Sequence, residues 1–208
     1  YLVKRSSLEL GGKSPNIVFA DADLNNAVRG VVGGIFGATG QTCIAGSRLL
    51  VQRKAHDEFV EKLVMFTQAA RVGDPCNELT QIGPIANQMQ YQRVLDYVDI
   101  AKNEGAELAL GGKRPDLQEC STGYFVEPTI FTGVTNDMRI AREEVFGPVL
   151  STIVFDEPEE AIAIANDSEF GLAAGVWTSD MRLALNMSDR LEAGSIWINT
   201  YRDISYTT

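Results

Sequence analysis

A single cysteine in a glycine-bordered segment is the strongest chemical signal in this chain. Cys43 lies in residues 40–46 (GQTCIAG), directly after a run of closely spaced glycines. Small neighbours would let a substrate and the backbone approach the sulfur closely, whereas a cysteine packed as a small hydrophobe is the common inert alternative. The setting favours a reactive thiol. Nearby backbone N–H groups predict a lowered thiol pKa and a site for an oxyanion.

An acid upstream offers the second half of a reaction. Glu9 stands at the end of a predicted strand, just before Gly11 and Gly12. The glycine pair would leave the carboxylate free to swing, although a simple ion pair between Glu9 and Lys13 is an equal alternative. A thiol that attacks a carbonyl and a carboxylate that activates water would together support a two-step covalent reaction.

Residues 142–148 (REEVFGP) form a third candidate segment. One of its acids could accept hydrogen bonds from a vicinal diol, and its aromatic side chain could cover a flat ring. The alternative is an exposed acidic turn. Neither the GxGxxG phosphate motif nor the full GxxxxGK[ST] phosphate-binding loop is present, so motifs alone give no dinucleotide-binding fold.

Apolar runs and helical patterns alternate along the chain, which predicts one α/β domain. A mostly parallel sheet with helices on both faces, a three-layer arrangement, accounts for this alternation. Pro128 predicts an edge strand or a bend. Strands are predicted at 16–20, 48–52, 107–110, 149–155, 173–177 and 195–199, extended segments at 124–126 and 129–131 on either side of Pro128, and helices at 24–36, 55–71, 87–104, 158–166 and 180–192.

Composition excludes several classes of partner. The formal net charge is −10, which argues against binding to a phosphate backbone. No apolar run reaches the roughly 18 residues of a membrane span, so no membrane partner is expected. The single histidine, His56, lies in a polar stretch and predicts a surface role, and without paired cysteines a zinc site is not expected.

The three cysteines do not form a disulfide framework. Their number is odd and no pair is closely spaced, which indicates a reducing compartment. We therefore predict a cytoplasmic protein, with the mitochondrion as the open alternative. Cys76 and Cys120 lie in polar loops and are predicted to be surface thiols.

Four segments in a fixed order resemble one family. They are residues 8–16 (LELGGKSPN), 40–43 (GQTC), 143–148 (EEVFGP) and 194–200 (GSIWINT). Together they resemble the catalytic domain of the NAD(P)-dependent aldehyde dehydrogenase superfamily, and the similarity covers essentially the whole chain.

The resemblance implies a role for each candidate residue. Cys43 would form a thiohemiacetal with a small aldehyde, and loss of hydride to NAD or NADP would leave a thioester. Glu9 would activate the water that hydrolyses the thioester. Glu144 would hold the nicotinamide ribose and Phe146 would pack near the nicotinamide. The backbone around Leu10 and Gly11 would line the same end of the cofactor.

The resemblance also implies an organisation. Residues 1–13 would be the last strand of the cofactor domain and its link, and residues 14–208 a catalytic domain truncated at its C-terminus. The family's oxyanion-hole asparagine and adenosine-ribose lysine would lie outside the chain, which would then be inactive alone. Homodimers or homotetramers are the family habit. The segment 201–203 could belong to the aldehyde pocket or to a surface loop.

Two other functions fit the same resemblance. One is a non-catalytic structural member of the fold, and the other is a relative that passes the acyl group to coenzyme A or phosphate. The presence of both Cys43 and Glu9 favours the hydrolytic enzyme over both.

Overall fold

A seven-stranded sheet organises the part of the chain that the structure, a computed structural model, describes: residues 3–4 and 8–203. The strands are β1 (Pro15–Val18), β2 (Arg48–Gln52), β3 (Glu107–Leu110), β4 (Thr129–Thr132), β5 (Val149–Phe155), β6 (Ala173–Trp177) and β7 (Ser195–Ile198). The helices are α1 (Leu24–Phe36), α2 (His56–Gln68), α3 (Gln88–Asn103), α4 (Arg139–Arg142), α5 (Pro158–Asn166) and α6 (Met181–Arg190). The strand order is β3-β4-β5-β2-β1-β6-β7, and only the β3–β4 pair is antiparallel.

Both faces of the sheet are buried. Ile17 and Leu50 face a core cluster formed with α3, α4, α5 and α6, whereas Val18 and Leu49 face a second cluster formed with α1 and α2. Successive residues of a strand point to opposite faces, so the central strands are largely apolar on both faces, and the polar residues among them, such as Asn16, Arg48 and Ser151, are buried too. The predicted three-layer, mostly parallel architecture is confirmed.

The predicted helices and strands are present, with bounds that agree to within a few residues, and capping aspartates fix the starts of two helices. Asp23 accepts hydrogen bonds from Asn25 N and Asn26 N at the start of α1, and Asp180 caps α6 in the same way. β2, β3, β5 and β6 begin and end at the predicted residues.

The edge-strand alternative for Pro128 and the prediction for Cys120 were wrong. β4 lies between β3 and β5, so the strand that follows Pro128 is not at an edge; the proline stands just before the ladder, which begins with Thr129 N donating to Pro148 O at 2.8 Å. Cys120 is fully buried instead of exposed, because the short 3₁₀ turn Gln118–Cys120 places it in the cluster shared with Phe125. Cys76 is exposed, as predicted.

The chain enters β1 without regular structure. Residues 3–4 and 8–14 form no helix or strand, and β1 begins at Pro15. The predicted strand of residues 1–13 falls partly on residues 1–2 and 5–7, outside the described residues, so the proposed domain boundary stays a prediction. None of the described helices combines the length and apolar character needed to cross a bilayer.

The pairing register brings together the three segments that precede β1, β2 and β5. Pro15 of β1 pairs with Arg48 of β2, and Arg48 pairs with Ser151 of β5. All three strands run in parallel. The residues that precede them in sequence therefore meet at the amino ends of the strands.

At the other end of the sheet, a carboxylate connects the segments that follow the carboxyl ends of β1 and β6. Asp21 accepts hydrogen bonds from Thr178 Oγ1 at 2.8 Å, from Ser179 N at 3.0 Å and Oγ at 2.8 Å, and from Asp180 N at 3.0 Å. Burial opposes the charge, but these donors together hold the pKa of Asp21 below its ordinary value.

We expect Asp21→Asn to destabilise the fold by about 1 kcal/mol near neutral pH, because an amide accepts fewer of these hydrogen bonds. A carboxyl with a depressed folded pKa contributes stability above its unfolded pKa, and that stability is lost as the pH falls through the folded value. Urea unfolding at about pH 7 and about pH 3 should show the gap between wild type and variant closing in acid. Asp99→Asn, an exposed change on α3, is the control; an equal gap at both pH values would contradict the assignment.

Candidate active site

The structure brings the two leading candidates into contact. Cys43 is half-buried in the loop before β2, and its Sγ donates a hydrogen bond to Oε1 of the exposed Glu9. The alternative pairing of Glu9 with Lys13 does not occur: Lys13 is 1% exposed, and its Nζ has no hydrogen-bond partner among the described residues.

Glycines allow the three segments to pack backbone against backbone. A Cβ on Gly12 would lie 2.4 Å from Cys43 O, and Gly12 N donates to Glu144 Oε1 at 3.1 Å. Gly11 has φ +95°, and a Cβ there would lie 2.8 Å from Glu144 Oε2. The left-handed conformation favours glycine at position 11, and the close approach of the Cys43 carbonyl leaves no room for a side chain at position 12. Leu10 is 82% exposed beside them.

The two adjacent acids of the third segment have different surroundings. Glu143 is engaged by Arg139 and Tyr97, whose hydrogen bonds lower its pKa to about 2. Glu144 instead turns its carboxylate to the glycine pair. The segment is therefore more than the exposed acidic turn that the sequence allowed, and Glu144 is the acid that faces the site.

Phe146 is held in an unusual backbone conformation. Its φ is +57° and its side chain is 38% exposed at the edge of the site. Gln90 Nε2 donates to Val145 O and Phe146 O at 2.8 Å each, and Arg93 Nη2 donates to Glu144 O at 2.9 Å. A non-glycine residue in the left-handed region needs such support from its surroundings. The sequence did not indicate these α3 side chains.

Other side chains hold the loop of residues 40–46, which carries Cys43, in place. Gln41 accepts from Ala86 N at 2.9 Å and donates to Pro84 O at 3.4 Å. Tyr201 donates to Ile44 O at 2.9 Å. Tyr201 is 9% exposed and packs beneath the loop, so within segment 201–203 it is neither open pocket wall nor surface loop. No motif pointed to these contacts, because the partners are distant in sequence.

The pKa of Cys43 shifts opposite to the expectation. Burial raises it, and the hydrogen bond and the negative charge of Glu9 raise it further, whereas the backbone N–H groups of Ile44 and Cys43 lower it less. The predicted depressed pKa is therefore wrong for this chain. The glycine setting gave access to the sulfur but could not reveal that a carboxylate stands against it.

The other titratable candidate lies outside this cluster. His56 begins α2, and its Nδ1 contacts Asp57 Oδ1 at 2.8 Å. Within residues 3–4 and 8–203, no group of three or more His, Cys, Asp or Glu side chains is placed to hold a metal ion.

The fold and site define a class of protein. Residues 2–208 match the model of the aldehyde dehydrogenase family, and the chain belongs to this family. It is 52% identical over 199 residues to a betaine aldehyde dehydrogenase of Mesorhizobium japonicum, which covers 96% of this chain and 41% of that protein.

Solved structures give the same picture. An NAD-dependent aldehyde dehydrogenase from Sinorhizobium meliloti is 48% identical with a TM-score of 0.93, over 98% of this chain and 40% of that one. A betaine aldehyde dehydrogenase from Staphylococcus aureus in complex with NAD+ is 40% identical with a TM-score of 0.94, over 96% of this chain and 40% of that one. The chain thus spans about two fifths of the length of its curated relatives.

We expect Glu9→Gln to move the midpoint of Cys43 alkylation to lower pH. The neutral amide removes the charge that disfavours the thiolate, so the thiolate forms more readily. The rate of iodoacetamide labelling of the Cys43 peptide, followed by mass spectrometry across a pH series, measures the shift.

Glu61→Gln, an exposed change on α2, should leave the Cys43 profile unaltered. An upward or absent shift in Glu9→Gln would show that the carboxylate does not act on the thiol.

Proposed function

We propose that this chain is the catalytic part of an NAD(P)-dependent aldehyde dehydrogenase that oxidises an aldehyde to a free carboxylic acid through a thioester on Cys43. The observation that carries the proposal is the hydrogen bond from Cys43 Sγ to the Glu9 carboxylate. Because the chain covers 41% of its curated relative, the activity is proposed for the whole protein.

The first step uses this contact directly. The thiol proton passes to the Glu9 carboxylate, and the sulfur forms a bond to the carbonyl carbon of the aldehyde. The N–H groups of Cys43 and Ile44, which also act on the thiol, are donors that the described residues offer to the developing oxyanion. A carboxylate that raises the resting pKa of the thiol thus serves as the acceptor of its proton.

The residues at the edge of the site fit a nicotinamide cofactor. The Glu144 carboxylate accepts only one backbone N–H among the described residues, so it has free acceptor capacity for ribose hydroxyls. Phe146 is held outward by Gln90 and offers an apolar wall. When bound, NAD(P)+ would supply the acceptor for the hydride that the Cys43 adduct loses.

The second step returns to Glu9. Glu9 is exposed, so it can release its first proton to solvent and accept another from water. The hydroxide attacks the thioester carbon, the C–S bond breaks, the carboxylic acid leaves, and the proton held by Glu9 returns to the Cys43 thiolate. A carboxylate against the sulfur favours hydrolysis over acyl transfer to coenzyme A.

The similarity to betaine aldehyde dehydrogenases makes betaine aldehyde the first substrate to test. NAD and NADP remain alternatives, and assembly into homodimers or homotetramers stays a prediction.

In the whole protein, we expect Cys43→Ala to lower kcat/KM for aldehyde oxidation by roughly 10³-fold or more, since no nucleophile remains. Glu9→Gln should lower kcat by about 10²- to 10⁴-fold. Because the thiolate forms more readily without the carboxylate, the thiol can lose its proton to solvent and still be acylated, so an acyl group should remain on the Cys43 peptide after mixing with aldehyde and NAD+. Absorbance of NAD(P)H and mass spectrometry report the two effects. Near-normal turnover in Cys43→Ala would refute the mechanism, and Glu61→Gln is the matched control.

The 208 residues alone are expected not to turn over aldehyde, because they supply one edge of the proposed cofactor site. With betaine aldehyde and either NAD+ or NADP+, the isolated chain should give no steady production of NAD(P)H. The whole protein at equal concentration is the positive control, and sustained turnover by the isolated chain would contradict this expectation.

A further inference from the structure

A buried arginine lies directly behind the three site segments. Arg48, the first residue of β2, is 1% exposed. Its guanidinium donates four hydrogen bonds. One goes to the backbone carbonyl of the residue after Gly12, two go to backbone carbonyls at the end of α5, and one goes to a side-chain amide. These are Nε to Lys13 O at 2.9 Å, Nη1 to Ile164 O at 2.9 Å and to Asn136 Oδ1 at 3.0 Å, and Nη2 to Ala165 O at 2.7 Å.

This charge is buried without a directly bonded carboxylate. Burial lowers the pKa of Arg48 to about 10 and Arg142 acts in the same direction, whereas Asp167 opposes them, so the side chain is charged at neutral pH. The carbonyls at the C-terminal end of α5 place the negative end of the helix dipole against it. Such a costly arrangement is sustained only when all its hydrogen bonds are made.

On one side, Arg48 fixes the segment that carries Glu9. Lys13 directly follows the glycine pair, and its carbonyl accepts from Arg48 Nε. Gly12 in turn donates to Glu144 and lies against the Cys43 carbonyl. A shift of the Lys13 backbone would therefore move Glu9 relative to Cys43.

On the other side, a chain of hydrogen bonds leads to the segment that carries Glu144. Asn136 Nδ2 donates to Asp167 Oδ2 at 2.9 Å, and Arg142 donates to both oxygens of Asp167 at 3.0 and 3.1 Å. Arg142 ends α4, immediately before Glu143 and Glu144. The guanidinium of Arg48 thus connects the residues that lead into β1 with those that lead into β5.

We propose that Arg48 is a positioning residue that holds Glu9 against Cys43 by fixing the Lys13 backbone, and that it couples this contact to the Glu144 segment through Asn136, Asp167 and Arg142. The inference rests on the proposed function only in taking Glu9 and Cys43 as the working pair. Arg48 itself touches neither of them.

Lysine at position 48 separates geometry from charge. Arg48→Lys keeps a positive charge near Lys13, Asp167 and Arg142, but one ammonium cannot reproduce the planar set of hydrogen bonds. Loss of the bond to Lys13 O would let Glu9 leave the thiol. The midpoint of Cys43 alkylation should then move to lower pH, toward its position in Glu9→Gln.

The test is the pH profile of iodoacetamide labelling of Cys43 in wild type, Glu9→Gln, Arg48→Lys and the double variant. We expect both single variants to shift downward and the double variant to show no further shift, because both changes remove the same contact. Arg53→Lys, at an exposed ion pair with Asp156 beyond the far end of β2, is the matched control and should match wild type. A wild-type profile in folded Arg48→Lys, or additive shifts in the double variant, would overturn the proposal.

Circular dichroism establishes whether Arg48→Lys folds. If it does not, Asn136→Ala decides, since it removes one acceptor of the guanidinium and cuts the link to Asp167: a downward shift supports the proposal and an unchanged profile overturns it. No aldehyde or cofactor is used, so this result is independent of whether the whole protein makes NAD(P)H.

Discussion

The parallel register of β1, β2 and β5 is the constraint on which the site depends. Pro15, Arg48 and Ser151 lie side by side in three adjacent parallel strands. The segments that precede these strands must therefore meet at the amino ends of the strands. This places Glu9 beside Cys43, 34 residues away, and Gly12 beside Glu144, 132 residues away. Open α/β sheets usually bind ligands at the carboxyl ends of their strands, whereas this site gathers at the amino ends. The loops that enter the sheet, more than the helices that follow the strands, therefore carry the candidate site.

Packing at this edge leaves little room for variation. The peptide of Gly12 touches both the Cys43 carbonyl and the Glu144 carboxylate, so the three segments fix one another. Tyr201 and Gln41 support the cysteine loop, and Gln90 supports the loop of Phe146. Side-chain donors to backbone carbonyls hold irregular segments in place where no sheet ladder is available.

The sequence predicted what depends on local patterns. Apolar periodicity placed β2, β5 and α5, where local spacing alone decides which residues face the core. Prediction from the sequence failed where residues distant in sequence determine the burial or the pKa of a side chain. Cys120 sits in a polar stretch yet is buried by the fold of its turn, and the pKa of Cys43 is raised by an acid from another segment. Arg48 looked like the start of a strand, and nothing nearby in sequence shows that α5 and Lys13 surround it.

Glu143 and Glu144 have the same side chain but different roles, because their hydrogen-bond partners differ. Both are acids in one short segment, and no property of the residues themselves separates them. Arg139 and Tyr97 hold Glu143 ionised and engaged, so it anchors the segment to α3 and α4. With its neighbour fixed, Glu144 must project to the other side of the extended backbone, where the N–H of Gly12 meets it. The contacts of Glu143 therefore fix the direction in which the Glu144 side chain points.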